Sequence, residues 1–136
     1  MLEPPGVSRS DGKRPDGMTL IPWSNGKTLI WDVTCVDTLA PSHLASSNEA
    51  AGRTAELAEI KKIQKYSDLT QTFTFSPVGF ETLGSWGPRA KKLIHEIGKR
   101  IQAMTNEQRA TFYLKQRITI DIQRGNAAST LGSIPP

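Results

Sequence analysis

At 136 residues the chain has room for one domain at most, because two would leave neither half enough polypeptide to bury a core. A composition of 37% hydrophobic and 22% charged residues, with three Trp, four Phe and two Tyr, excludes collagenous and wholly disordered chains, and no apolar run nears the ~20 residues that cross a bilayer. Lys and Arg number 17 against 13 Asp and Glu, but the excess is lopsided: residues 1–87 hold 8 basic and 10 acidic side chains, residues 88–136 hold 9 and 3, so an acidic half adjoins one suited to a solvated helix surface or to phosphate.

Residues 1–12, with Pro4, Pro5 and the Ser10-Asp11-Gly12 turn signal, read as an extended lead-in, the tail of something longer. Nothing in them resembles the apolar centre of a signal peptide, so the expected setting is nuclear or cytoplasmic, neither secreted nor membrane-bound. Residues 13–132 read as a single domain, and 133–136 as a frayed tail. The runs MTLIPW and KTLIWDVTCV flank Ser24-Asn25-Gly26, and Asn-Gly between apolar runs predicts a hairpin. Pro22 cannot donate to a ladder, so the first strand should end or face an edge near it.

Ser46 and Glu49 have capping-box spacing, which predicts a helix from about Asn48 to Tyr66. One face of it collects Ala51, Ala55, Ala58, Lys62 and Tyr66, and its small residues would let the helix lie close to a sheet. A third strand follows in TFTFSPVGFETLG, expected to bend or end at Pro77 and Gly79. Gly87-Pro88 opens a basic helix with Ala90, Leu93, Ile94, Ile97 and Ile101 at helical spacing, slightly weakened by Gly98. Thr105 and Gln108 form a second capping box before a helix carrying Ala110, Leu114 and Ile118 on one face. The alternation Ile118, Ile120, Ile122 also fits a strand, but the helical period runs into it unbroken, which favours a helix to about Gln123 with a stop at Gly125-Asn126. The element order predicts an α/β fold, a small mixed β-sheet flanked by helices.

Cys35 is the only cysteine, which excludes an intramolecular disulfide, and with His43 and His95 it is too sparse a set for structural zinc. Cys35, Trp23 and Trp31 are assigned to packing, the histidines to surface or capping roles. Asp16 precedes the first hairpin strand and Asp32 lies near the end of the second, so the turn can bring their carboxylates together. Two such charges about 4 Å apart repel by roughly 4 kcal/mol at an effective dielectric near 20, and need a shared cation or a retained proton. Magnesium suits them, since it takes one or two carboxylates and keeps waters that phosphate oxygens can replace. Lys62 on the following helix would add positive charge for a phosphate or an attacking water. The plainer alternatives are a salt bridge of Asp32 with Arg14, Lys61 or Lys62, and a solvent-facing Lys62 beside a packing Tyr66. Asp32 needs some such partner, for it interrupts an apolar run that reads as buried on both faces.

Arg14-Pro15-Asp16, Asp32-Val33-Thr34, and Lys62 ahead of Lys65-Tyr66 together resemble the restriction-like endonuclease domain of site-specific non-LTR retrotransposons, a branch of the PD-(D/E)XK nucleases. The later strand with Pro77, and Gly84-Ser85-Trp86-Gly87 before a basic helix, are similar to that family too, so the resemblance spans roughly Gly12 to Ile101. It implies a restriction-endonuclease-like fold, with Asp16, Asp32 and the Val33 carbonyl as metal ligands for Mg2+, or Mn2+ in its place. Many relatives carry a lysine two residues after the second acid, where Thr34 stands here; the retrotransposon branch takes it from the following helix, a pattern that Lys62 with Tyr66 fits. The activity implied is nicking of one DNA strand to prime reverse transcription of an element RNA, by a domain fused to or derived from a reverse transcriptase. Asp16, Asp32 and Lys62 would be catalytic, with Arg14, Lys65 and Tyr66, and Arg89, Lys91 and Lys92 of the basic helix, touching the DNA backbone. A non-catalytic binding module that keeps the fold is the rival expectation.

Overall fold

In the computed structural model, which describes the backbone of residues 14–132 and side chains as far as residue 126, Asn25 and Gly26 both take positive φ, 50° and 72°. Such a pair closes a two-residue turn whose twist matches that of its strands. It joins β1 (Gly17–Ser24) to β2 (Lys27–Val36) in the expected hairpin. The register slips between Met18 and Pro22, where Thr19 Oγ1 accepts the Leu29 N–H in place of a backbone carbonyl. Pro22 thus sits on an irregular edge strand that does not need its missing donor. The expected lead-in and frayed tail lie outside the described residues.

The polypeptide then makes a short α1 (Leu44–Glu49), breaks, and resumes as α2 (Arg53–Lys65). This corrects the single helix from Asn48. Gly52, with φ of 84°, takes the N-cap position of α2, and the residues of the supposed capping box are engaged elsewhere. Ser46 Oγ donates to the His43 carbonyl, and Glu49 Oε2 accepts from Arg53 Nε at 3.0 Å. β3 (Thr74–Glu81) lies parallel to β2, giving a three-stranded mixed sheet in the order β1-β2-β3. It runs straight through Pro77 and Gly79, contrary to the bend expected there, because its outer edge does not ask Pro77 for a donor.

From Gly79 to Glu81 that edge is closed by the protein itself. The Gly79 N–H donates to Glu59 Oε2 at 3.0 Å, the Gly79 carbonyl accepts from Gly87 N–H, and Glu81 N–H donates to the Ser85 carbonyl. α3 (Pro88–Thr105) follows, with Gly87 at its N-cap, and Asn106 in the left-handed region ends it. α4 (Ala110–Gly132) begins after the second supposed capping box, whose Thr105 belongs to α3. α4 settles the Ile118–Ile122 ambiguity as helix and continues through Gly125, where a stop was expected. A helix-interior glycine costs only about 1 kcal/mol, and Asn126 Nδ2 ties the helix to the Thr82 carbonyl at 2.6 Å. Nor is Gly98 a mere weakness in α3: a side chain there would collide with Thr111 of α4.

The sheet buries both faces. On one, Leu29, Val78 and Phe80 pack with Ala90 and Leu93 of α3, backed by Trp31, Trp86, Ile118 and Ile122. Each fully buried large side chain contributes about 1.5–3 kcal/mol. On the other face, Ile30, Asp32 and Thr34 of β2 lie beside Phe75, Pro77 and Gly79 of β3 under α2. Helix and sheet approach so closely that a Cβ added to Gly79 would stand 2.7 Å from the Ala55 carbonyl oxygen and 2.9 Å from Glu59 Cγ. Gly79→Ala should therefore lower unfolding stability by about 1–3 kcal/mol, as overpacking does, read as a lower urea midpoint at unchanged slope. Cys35, assigned above to packing, is exposed, because odd-numbered positions near the end of β2 outrun the helices that cover the sheet. No helix among the described residues is long and apolar enough to cross a membrane.

Candidate active site

α2 meets the sheet with Ala55, Glu59, Lys62 and Tyr66, at steps of four, three and four. Tyr66 is wholly buried, its ring 5.2 Å from that of Phe75. One turn earlier Lys62 Nζ comes 2.7 Å from Asp32 Oδ2 in an ion pair. Asp32 is 3% exposed, whereas the Lys62 side chain keeps about a quarter of its surface in solvent.

The second carboxylate arrives from the hairpin. Pro15 is buried and holds the chain at the start of β1, so that Asp16 N–H donates to the Trp31 carbonyl at 2.9 Å. The Asp16 side chain then reaches past the last ladder pair, and its Oδ2 accepts the Val33 N–H at 2.6 Å. In a strand the N–H and C=O of one residue face the same edge, which directs the Val33 carbonyl toward Asp16 as well. Burial raises the Asp32 pKa above its ordinary 3.8; Lys62 pulls it down and the adjoining Asp16 carboxyl pushes it up, and the net direction is upward.

Asp16, Asp32, Lys62 and the Val33 backbone are thus gathered into one place, facing solvent on the Asp16 side. The salt bridge weighed as an alternative for Asp32 is also present, with Lys62. Two carboxylates and one carbonyl suit magnesium, which tolerates few protein ligands; among the described residues no group of three His, Cys, Asp or Glu side chains converges. Thr34, two residues beyond Asp32 on the same face, has a buried hydroxyl with no hydrogen-bond partner among the described residues.

The residues expected to touch DNA are scattered. Arg14 is exposed beside Asp16, and Lys65 Nζ lies 4.9 Å from the centre of the Tyr66 ring. Tyr66 itself is the packing tyrosine of the plainer alternative: with its ring in the core it offers no surface to a phosphate. Lys91 and Lys92 are exposed on α3, and Arg89 Nη1 stands 3.8 Å from Glu59. His43 Nδ1 lies 2.9 Å from the Asp37 carbonyl and His95 is exposed.

Sequence reasoning missed Glu59. It is 1% exposed, and its carboxylate accepts from the backbone N–H groups of Gly79, Arg89 and Ala90 at 2.9–3.0 Å. It therefore caps α3 while bonding the edge of β3. Glu81, equally buried, does the same for α2 by accepting the Ala55 N–H at 3.0 Å. These two glutamates fix α2, and with it Lys62, against the sheet. Comparison of the chain with family models, with curated proteins and with solved structures gave no match.

Proposed function

We propose that this chain is a metal-dependent DNA endonuclease domain, built on a restriction-endonuclease-like fold, that nicks one strand and leaves a 3′ hydroxyl for reverse transcription of an element RNA. On this reading it is part of a retrotransposon protein that includes a reverse transcriptase. The observation that supports it is the convergence of Asp16, Asp32 and Lys62 from three separate elements, with Asp32 buried and its pKa raised in the company of another carboxyl. Asp16, Asp32 and the Val33 carbonyl would hold Mg2+ or Mn2+, which when bound supplies Lewis acidity toward phosphate oxygens and a more acidic water. Lys62 holds positive charge beside the carboxylates, where the phosphate gains negative charge during attack.

Nicking of supercoiled plasmid in millimolar magnesium tests the assignment. Asp16→Ala, which leaves the buried Asp32–Lys62 contact in place, should slow nicking by about 10²- to 10³-fold and weaken magnesium binding measured by calorimetry. If the variant nicks as fast as the parent, the reading fails. The Lys62–Asp32 ion pair itself favours a second reading, a nucleic-acid-binding module without catalysis. That module would bind DNA in a salt-dependent way, neither cut it nor take up metal, and serve as the outcome if the parent chain is inert.

A further inference from the structure

A groove of about 430 Å³ opens between the outer edge of β3 and α3, away from the carboxylates. Arg89, Lys92, Glu96 and Arg100, at steps of three, four and four, form the α3 wall, so a single helical stripe lines it. Three of the four are cations, and the lone acid is already taken by Arg100 at 3.3 Å. Arg100 is held in a fixed attitude. Its guanidinium carbon lies 3.5 Å from the centre of the Trp23 ring, and its Nη2 donates to the Trp23 carbonyl at 2.9 Å. Arg89 Nη1 is buried and makes no hydrogen bond among the described residues. The opposite wall carries Ser76 and Pro77 of β3, the latter paired in register with Asp32. Ile63, the neighbour of Lys62, completes it.

Resting on the reading of the chain as a DNA nuclease, we propose that this groove holds a single-stranded segment of the DNA next to the cut. The shape argues for one strand. A protein that reads duplex pushes a convex helix or ribbon into the DNA groove, whereas here the cations line a concave wall that the ligand must enter. Cations along a channel, with a planar guanidinium backed by the Trp23 ring and open to a stacking base on its other side, are how single strands are gripped without regard to sequence.

The test is fluorescence anisotropy of the whole chain with a labelled oligothymidylate about 10 nucleotides long, in EDTA so that no cleavage intervenes. The single strand should bind more tightly than a duplex of equal length. Lys92→Gln and Arg100→Gln should each weaken binding about tenfold and make the salt dependence shallower by about 0.7 in log–log slope. Lys99→Gln, exposed on the same helix but outside this groove, should cost little; circular dichroism melts check that every variant is folded. Tighter binding of duplex, tighter binding of oligouridylate, or an equal loss with Lys99→Gln would overturn the proposal. Because the assay reads no cleavage, an inert nuclease site leaves the groove standing, and a failed groove leaves the nicking test untouched.

Discussion

Asp32→Asn should give a protein that fails to nick in magnesium yet melts at a higher temperature than the parent at pH 7. The loss follows from the chemistry of the pair: an amide neither neutralises a cation nor binds it well, and rate should fall at least about 10³-fold, the upper range for removing one electrostatic contributor. The gain follows from burial. Asp32 is nearly inaccessible and its pKa in the folded chain is raised, chiefly by desolvation, so its ionised form opposes folding. The unfolded chain releases this proton first. The stability of the protonated form is therefore complete below the ordinary carboxylate pKa of 3.8 and is lost as pH climbs through the higher folded value. Parent and variant should converge in melting temperature toward acid and separate toward neutrality. Lys62 is not stranded by the change, because its partly exposed side chain can turn to water. Melting curves against pH decide it: a variant that melts lower at pH 7 would mean that the Asp32–Lys62 pair stabilises the fold on balance, as in a structural salt bridge.

Glu59→Ala should be the most damaging single change, costing about 3–5 kcal/mol, the range for removing one partner from a buried charged network. Three backbone donors lose their acceptor together. Arg89 and Ala90 sit in the first turn of α3, where no intrahelical carbonyl is available, and Gly79 lies on the strand edge with no neighbouring strand among the described residues to replace the carboxylate. Each abandoned buried donor carries a desolvation cost of about 1–3 kcal/mol. Glu59→Gln keeps one carbonyl oxygen as acceptor and should fall between parent and alanine. Urea denaturation of the three proteins orders them; an alanine variant within about 1 kcal/mol of the parent would show that water satisfies these donors.

The sequence made the hairpin legible because Asn25-Gly26 is a local signal that needs no tertiary information. It placed Asp16, Asp32 and Lys62 together for the same reason, since a tight turn and a helix crossing its second strand leave little freedom. Hidden from it was anything that depends on what lies across a gap. The apolar stripe Ala51, Ala55, Ala58, Lys62, Tyr66 was drawn through alanines, but the helix turns Glu59 inward and leaves Ala58 half-buried. A charged residue is normally read as facing water, and only the open amides of α3 make its burial favourable. Pro77 and Gly79 were read as breakers, though one removes a donor that the edge does not need and the other lets α2 come close. Gly52 escaped notice because a plausible capping pair stood just upstream.

The closure of the outer side of β3 at Gly79 and Glu81 has a consequence for how this sheet can be extended. A strand from a partner, or from elsewhere in a longer polypeptide, finds the bonding sites at Gly79 and Glu81 already spoken for by the protein's own backbone and Glu59. Among the described residues nothing pairs with the outer flank of β1, where Leu20 and Ile21 stand bare, so a joining strand has its clearest approach alongside the strand that leads out of Asp16.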